Sequence, residues 1–291
     1  MIIFGHMISA QVLYSQLMVG LINGSFYALL SLGLAVIFGM LNIVNFSHGA
    51  CYMVGAFVAY FLLAAGVNYW GALILSPIIV GLVGCVVERA FLKRIAGLDH
   101  LYGLLLTFGL ALVIQGLFQN QFGSSGKPYP APAELRGPIN LGFMYLPMYR
   151  GWVIIFSAIV CFAVWFLIEK TKLGSYLRAA TENPTLVRAF GINVPLMITA
   201  TYGFGVGLAA LAGVLAAPIN QVRPGMGADI IAVVFAVVVI GGMGSILTGF
   251  ALGIVEGLTK VFYPEASNTV VFVIMAIVLI VRPSGLFGRV A

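Results

Sequence analysis

The sequence predicts an all-α polytopic membrane protein, and three observations carry that prediction. Hydrophobic residues fill 62% of the 291 positions and charged residues 8%, where soluble domains run at about 45–50% and about 25%. The apolar stretches are continuous rather than alternating, which selects helices over a β-barrel, because lipid offers backbone groups no partner outside the chain. Polar and charged residues gather in short segments between those stretches. About eight or nine membrane segments are expected, some of them discontinuous.

The first runs from Gln11 to Phe38, with Gly20 and Gly24 offering a small-residue contact face. No lysine or arginine precedes it, and its length exceeds a signal-peptide core, so it is expected to stay attached. Residues 39–50, GMLNIVNFSHGA, then cluster Asn42, Asn45, Ser47 and His48 between apolar flanks. Such a cluster is either a short loop or a break within a discontinuous helix.

Further segments follow over Cys51 to Ala65, Gly71 to Val87, Leu101 to Phe118, Gly151 to Ile168, Pro195 to Ala217, Ile230 to Phe262 and Asn268 to Val281. Glu88 to His100 reads as a charged loop. Residues 123–150 change to a Gly, Pro, Ser and Tyr composition and read as an extracytoplasmic loop. Residues 241–249, GGMGSILTG, interrupt the Ile230 to Phe262 run. Beyond them Ser245, Gly249, Gly253 and Gly257 recur every four residues, a stripe that another helix can approach closely, and Glu256 and Lys260 can pair at i, i+4.

Leu173 to Ile192 is the one sizeable charged stretch. Ser175 is expected to cap a first turn that ends near Asn183, since the residue before proline leaves the α region. Asn183 caps a second helix with Pro184 at its first position, and Gly191 supplies a left-handed stop. Leu186, Val187 and Phe190 share a face, an apolar stripe that needs covering, either by lipid headgroups or by a groove in a soluble protein.

The net charge of +6 does not point to nucleic acid, because the basic residues sit in short loops beside apolar runs. Arg89, Lys93, Arg94, Lys170, Lys172, Arg178, Arg188, Arg282 and Arg289 share one side by segment parity, nine of the fourteen lysines and arginines. The positive-inside rule makes that side cytoplasmic. Cys51, Cys85 and Cys161 lie within apolar runs and read as packing residues, and His6, His48 and His100 are too far apart to suggest a metal site. No cofactor is expected. QFGSSGKPY fails as a phosphate-binding loop at Gln121 and Pro128, and GVGLAA from Gly205 matches a dinucleotide pattern but lies in a membrane run, so it reads as helix packing. With no catalytic constellation and no central chain of charges, the chain reads as a transport protein, not an enzyme, that borrows its energy from another chain.

Three stretches carry a resemblance. They are Asn45-Phe46-Ser47-His48-Gly49 with Tyr52 and Met53; Arg178-Ala179, Glu182-Asn183-Pro184 and Gly191-Ile192; and Gly241 to Ser245 with Arg282 to Gly288. Together they resemble the inner-membrane permeases of ATP-binding-cassette importers for branched-chain amino acids, a family whose close relatives carry urea and short amides. Two departures from the family pattern are Ser47 in place of an alanine, and Leu186 and Val187 in place of alanines.

The resemblance implies a single permease domain over residues 1–291 in a bacterial inner membrane. It implies pairing with a second, homologous permease, two cytoplasmic ATPases and a periplasmic substrate-binding protein. Residues 175–191 then become a coupling helix, with Arg178, Glu182, Pro184, Leu186, Val187, Phe190 and Gly191 on the ATPase side. The nominated substrate path is Asn45, Ser47 and His48, with Gly242, Gly244 and Ser245 facing them, because broken helices can hold a zwitterion on backbone N–H and C=O ends. The plainer reading is that these residues satisfy broken backbone and pack helices. The rival class is a channel or secondary carrier working alone.

Overall fold

The structure is a computed structural model that describes residues 2–3, 6–7, 10–41, 43–95, 97–142, 144–242, 246–282 and 285–286. In chain order the helices are α1 (Ala10–Leu41), α2 (Ser47–Ala64), α3 (Tyr69–Val87), α4 (Lys93–Ile95), α5 (His100–Phe122), α6 (Met148–Lys170), α7 (Lys172–Glu182), α8 (Pro184–Ala189), α9 (Val194–Asn220), α10 (Met226–Gly241), α11 (Ile246–Phe262) and α12 (Val270–Val281). Six described stretches are long and apolar enough to cross a membrane: α1, α2, Tyr69–Ile95, α5, α6 and α9. The shorter α10 and α12 are also apolar. The protein is a multi-pass, all-α membrane protein.

Two compact units make up the chain. One comprises Met1–Ser31, Ala131–Cys161 and Ala232–Ala291; the other comprises Leu32–Pro130 and Phe162–Ile231.

In the first unit, α1 and α11 meet along glycines. A Cβ on Gly253 would lie 2.3 Å from the Gly20 carbonyl oxygen, one on Gly20 would lie 2.4 Å from the Gly253 oxygen, and one on Gly249 would lie 2.7 Å from the Ala28 backbone. Helices in lipid gain little from burying apolar surface, so close backbone approach supplies the dispersion contacts that hold them. The two small-residue faces expected from the sequence are thus each other's partner. Ser245, the fourth member of the stripe, lies outside the described residues. Beside the seam, Glu256 is buried and accepts from Tyr27 at 2.6 Å, Asn23 at 3.2 Å and Lys260 at 2.5 Å.

In the second unit, α9 is the central helix, packed on α2 and α3. Gly213 presses against the Tyr52 carbonyl, Gly203 faces the Gly81 oxygen, and Gly205 faces Gly33, where an added Cβ would stand 2.8 Å from backbone oxygen. The GVGLAA stretch is therefore helix packing. Ile37, Ile43, Val80, Leu92, Tyr202, Val206 and Ala210 form the core around it.

Two boundaries differ from expectation. Glu88 does not open a charged loop. The helix of α3 continues through a π-turn at Glu88–Leu92 and α4, and Glu88 is buried at 2% exposure. A buried partner overrides the polarity that suggested a loop. Likewise α7 starts at Lys172, so Ser175 lies inside it rather than at its cap.

Between α5 and α6 the chain forms a short hairpin, Pro138–Asn140 against Tyr145–Pro147, while earlier Lys127 pairs with Val222 through backbone bonds of 2.8 and 2.9 Å. Tyr129 is buried beside Tyr69, and burial pushes its phenol up to about 12.

Candidate functional site

The helix break ahead of α2 is built from its own polar side chains. The chain leaves α1 after Leu41 and re-enters a helix at Ser47; Asn42 lies outside the described residues. The Asn45 carboxamide oxygen accepts from the Ser47 amide at 3.1 Å and from the Ser47 hydroxyl. It thereby caps orphan donors at the start of α2, which a helix end away from water requires. The Asn45 amide nitrogen donates to the Tyr202 hydroxyl on α9 at 3.2 Å. Thr107 on α5 takes the Phe46 amide at 3.2 Å and donates to the Val44 carbonyl at 3.1 Å. Backbone groups at the break are thus met by Asn45 itself and by Thr107 of α5, while Tyr202 of α9 holds the Asn45 side chain.

Asn45, Ser47 and His48 come together there, buried at 1%, 3% and 0% exposure. The imidazole of His48 lies against Gly33, whose Cβ would approach it at 3.0 Å. Gly49, one residue on, meets Gly227 near the start of α10, where an added Cβ would stand 2.5 Å from the Gly227 oxygen. Of the other nominated residues, Gly242 ends α10 in the left-handed region at φ +69°, while Gly244 and Ser245 lie outside the described residues.

One turn back from Tyr202 on α9, the Thr199 hydroxyl donates to the buried Glu88 carboxylate at 2.7 Å. Tyr202, Thr199 and Thr107 stand out little in the sequence, because each is an uncharged polar residue within a long apolar run. Their place in a span was the available signal, since a polar group there needs a partner.

The α7–α8 pair is the second candidate element. Asn183 caps α8 by accepting the Leu186 amide at 2.9 Å, Pro184 takes the first position, and Gly191 stops the helix at φ +81°. The expected stripe divides. Leu186 and Phe190 are exposed at 54% and 77%, but Val187 is 5% exposed and packs with Ala180 and Val194, flanked by Met197 and Ile198. Neighbouring helical positions point about 100° apart, so Leu186 turns outward while Val187 turns toward Ala180 and Val194.

Gly174 is required where α7 leaves α6, because a Cβ there would overlap the Ile168 carbonyl. Arg178 reaches that carbonyl at 3.3 Å and Glu169 at 3.4 Å. Both side chains of the ion pair are half exposed, so it is worth about 0–1 kcal/mol. Burying Val187, worth about 1.5–3 kcal/mol, is what seats α8. Glu182 and Arg188 are exposed.

Backbone-to-backbone seams within each unit, a helix break lined by buried polar side chains and a docked pair of short helices fit a membrane transport subunit. The chain belongs to the family described as branched-chain amino acid transport system, permease component, whose profile matches residues 16–281. It is 30% identical to the high-affinity branched-chain amino acid transport system permease protein BraD of Pseudomonas aeruginosa, over 94% of this chain and 95% of that one. It is 27% identical to the corresponding LivH protein of Escherichia coli, over 97% and 98%. A probable branched-chain amino acid transport permease protein of Methanocaldococcus jannaschii, LivM, matches half of this chain at 31%, over 42% of its own length. No solved structure matches.

Proposed function

We propose that this chain is the membrane permease subunit of an ATP-driven importer and forms the path for branched-chain, hydrophobic amino acids. The names of its relatives support the substrate class. The second, LivM-type relative supports pairing with a homologous permease. Two cytoplasmic ATPases and a periplasmic binding protein complete the complex in a bacterial inner membrane, and residues 1–291 act as a single permease domain.

One observation carries the mechanical part. Leu186 on α8 and Phe190 at its end stand exposed while Val187 pins the helix to Ala180 and Val194, the geometry of an apolar knob offered to a groove. Pro184 and Gly191 fix the two ends of that knob, and Arg178 and Glu182 flank it. ATP-driven closure of the ATPases displaces the knob, and the bundle alternates between outward and inward access. Asn45, Ser47 and His48 are the polar stations of the path.

Co-purification tests this reading. Leu186→Asp and Phe190→Asp release the ATPase subunits and abolish uptake, whereas retention of both overturns it. The chain alone in liposomes passes no substrate; passage without ATPases would establish a channel instead. Counterflow of leucine, valine and urea through the reconstituted complex separates amino acid from amide transport.

A further inference from the structure

We infer that α9 is the lever that carries movement of α8 to the helix break ahead of α2, acting through two hydroxyls, Thr199 on Glu88 and Tyr202 on Asn45. The inference rests on the coupling role proposed for α8 and adds positioning residues to it. Val187 of α8 is packed with Val194, Met197 and Ile198, the first turns of α9. The next residue along, Thr199, donates to Glu88 at 2.7 Å, and Tyr202 accepts from Asn45 at 3.2 Å. From Val194 to Tyr202 is about 12 Å of helix at 1.5 Å per residue.

Each contact joins α9 to an irregular stretch of backbone. Glu88 opens the π-turn that ends at Leu92, and Asn45 caps the segment between α1 and α2. Regular helix resists deformation, while a π-turn and a helix break are the places where it can bend. Elsewhere in this unit α9 packs through glycine seams at Gly203, Gly205 and Gly213 and through the apolar core around Val206 and Ala210. Side-chain hydrogen bonds in a low-dielectric interior have defined lengths and directions, so they transmit displacement that smooth apolar seams let slip. Thr199 and Tyr202 therefore decide which backbone follows when α9 moves.

The test uses the complete transporter in proteoliposomes, with leucine uptake and ATP hydrolysis measured together. Tyr202→Phe removes the acceptor of the Asn45 amide, and Thr199→Val removes the donor to Glu88 at nearly constant shape. Uptake per ATP hydrolysed is expected to fall on the order of tenfold in both, with ATPase subunits still bound, and Thr199→Ser is expected to restore it. A ratio within about twofold of the unaltered transporter, or uptake and hydrolysis falling in proportion, overturns the inference, since a merely structural role lowers both alike. If Tyr202→Phe fails to assemble, the contrast of Thr199→Ser with Thr199→Val decides alone. Failure here leaves the proposed function standing when Leu186→Asp and Phe190→Asp still release the ATPases; if they do not, it is the proposed function that fails.

Discussion

The Tyr27 hydroxyl donates to the Glu256 carboxylate at 2.6 Å, joining α1 to α11 deep in the first unit. Lys260 and Asn23 complete the set around that carboxylate. Removing one partner from a buried charge leaves desolvation uncompensated, whereas removing both charges need not. Lys260→Met is therefore expected to destabilise by about 1–3 kcal/mol, and Glu256→Gln combined with Lys260→Met by less than Lys260→Met alone. Thermal unfolding of the purified chain checks the order.

The α1–α11 seam yields a second contrast. Gly253→Ala places a methyl 2.3 Å from backbone oxygen, with no flexible neighbour to yield, and is expected to cost about 1–3 kcal/mol. Gly109→Ala and Gly116→Ala on α5 meet open space. They are expected to be neutral or stabilising by up to about 1 kcal/mol through helix propensity. The same unfolding assay compares the three.

Along α8 the two apolar roles separate. Val187→Ala is expected to lower stability by about 1–2 kcal/mol, because Val187 fills the contact with Ala180 and Val194. Leu186→Ser and Phe190→Ser change stability by less than about 0.5 kcal/mol yet weaken ATPase binding. Unfolding and pull-down measurements on the same preparations distinguish the two.

Tyr129 gives a pH signature. Its hydroxyl has no hydrogen-bond partner among the described residues, and burial holds the phenol near 12, above its ordinary value of 10.0. The unfolded chain therefore loses that proton first as pH rises, and the Tyr129 contribution to stability falls between pH 10 and 12. Tyr129→Phe is expected to flatten that fall and to leave stability at pH 7 unchanged or slightly raised. Unfolding curves of the two proteins across the alkaline range test it.

Much of this was legible in the residues. Continuous apolar runs marked the helices, because a span has to satisfy its backbone within itself. Asn183-Pro184 and Gly191 marked the ends of α8, because capping and left-handed stops are local chemistry. The small-residue stripes on α1 and α11 were both visible, but not their pairing, since a stripe says only that some helix comes close. Val187 was misplaced because it forms one flank of the stripe, about 100° from Leu186, and spacing alone does not say which flank Ala180 and Val194 cover. Glu88 was misread as loop because its partner, Thr199, lies 111 positions away. For the candidate path the sequence brought forward Asn45, Ser47 and His48, which do gather, and it missed Tyr202, whose neighbours are all apolar or small.

Where α2 and α10 touch at Gly49 and Gly227, main chain rests on main chain, with the Ile231 side chain alongside. Such a junction has no spare parts. A substitution at either glycine runs first into carbonyl oxygen, 2.5 Å away for Gly49 and closer still for Gly227, and trimming a side chain such as Ile231 does not move that oxygen. The separation of α2 and α10 at this crossing is therefore set by the peptide groups themselves.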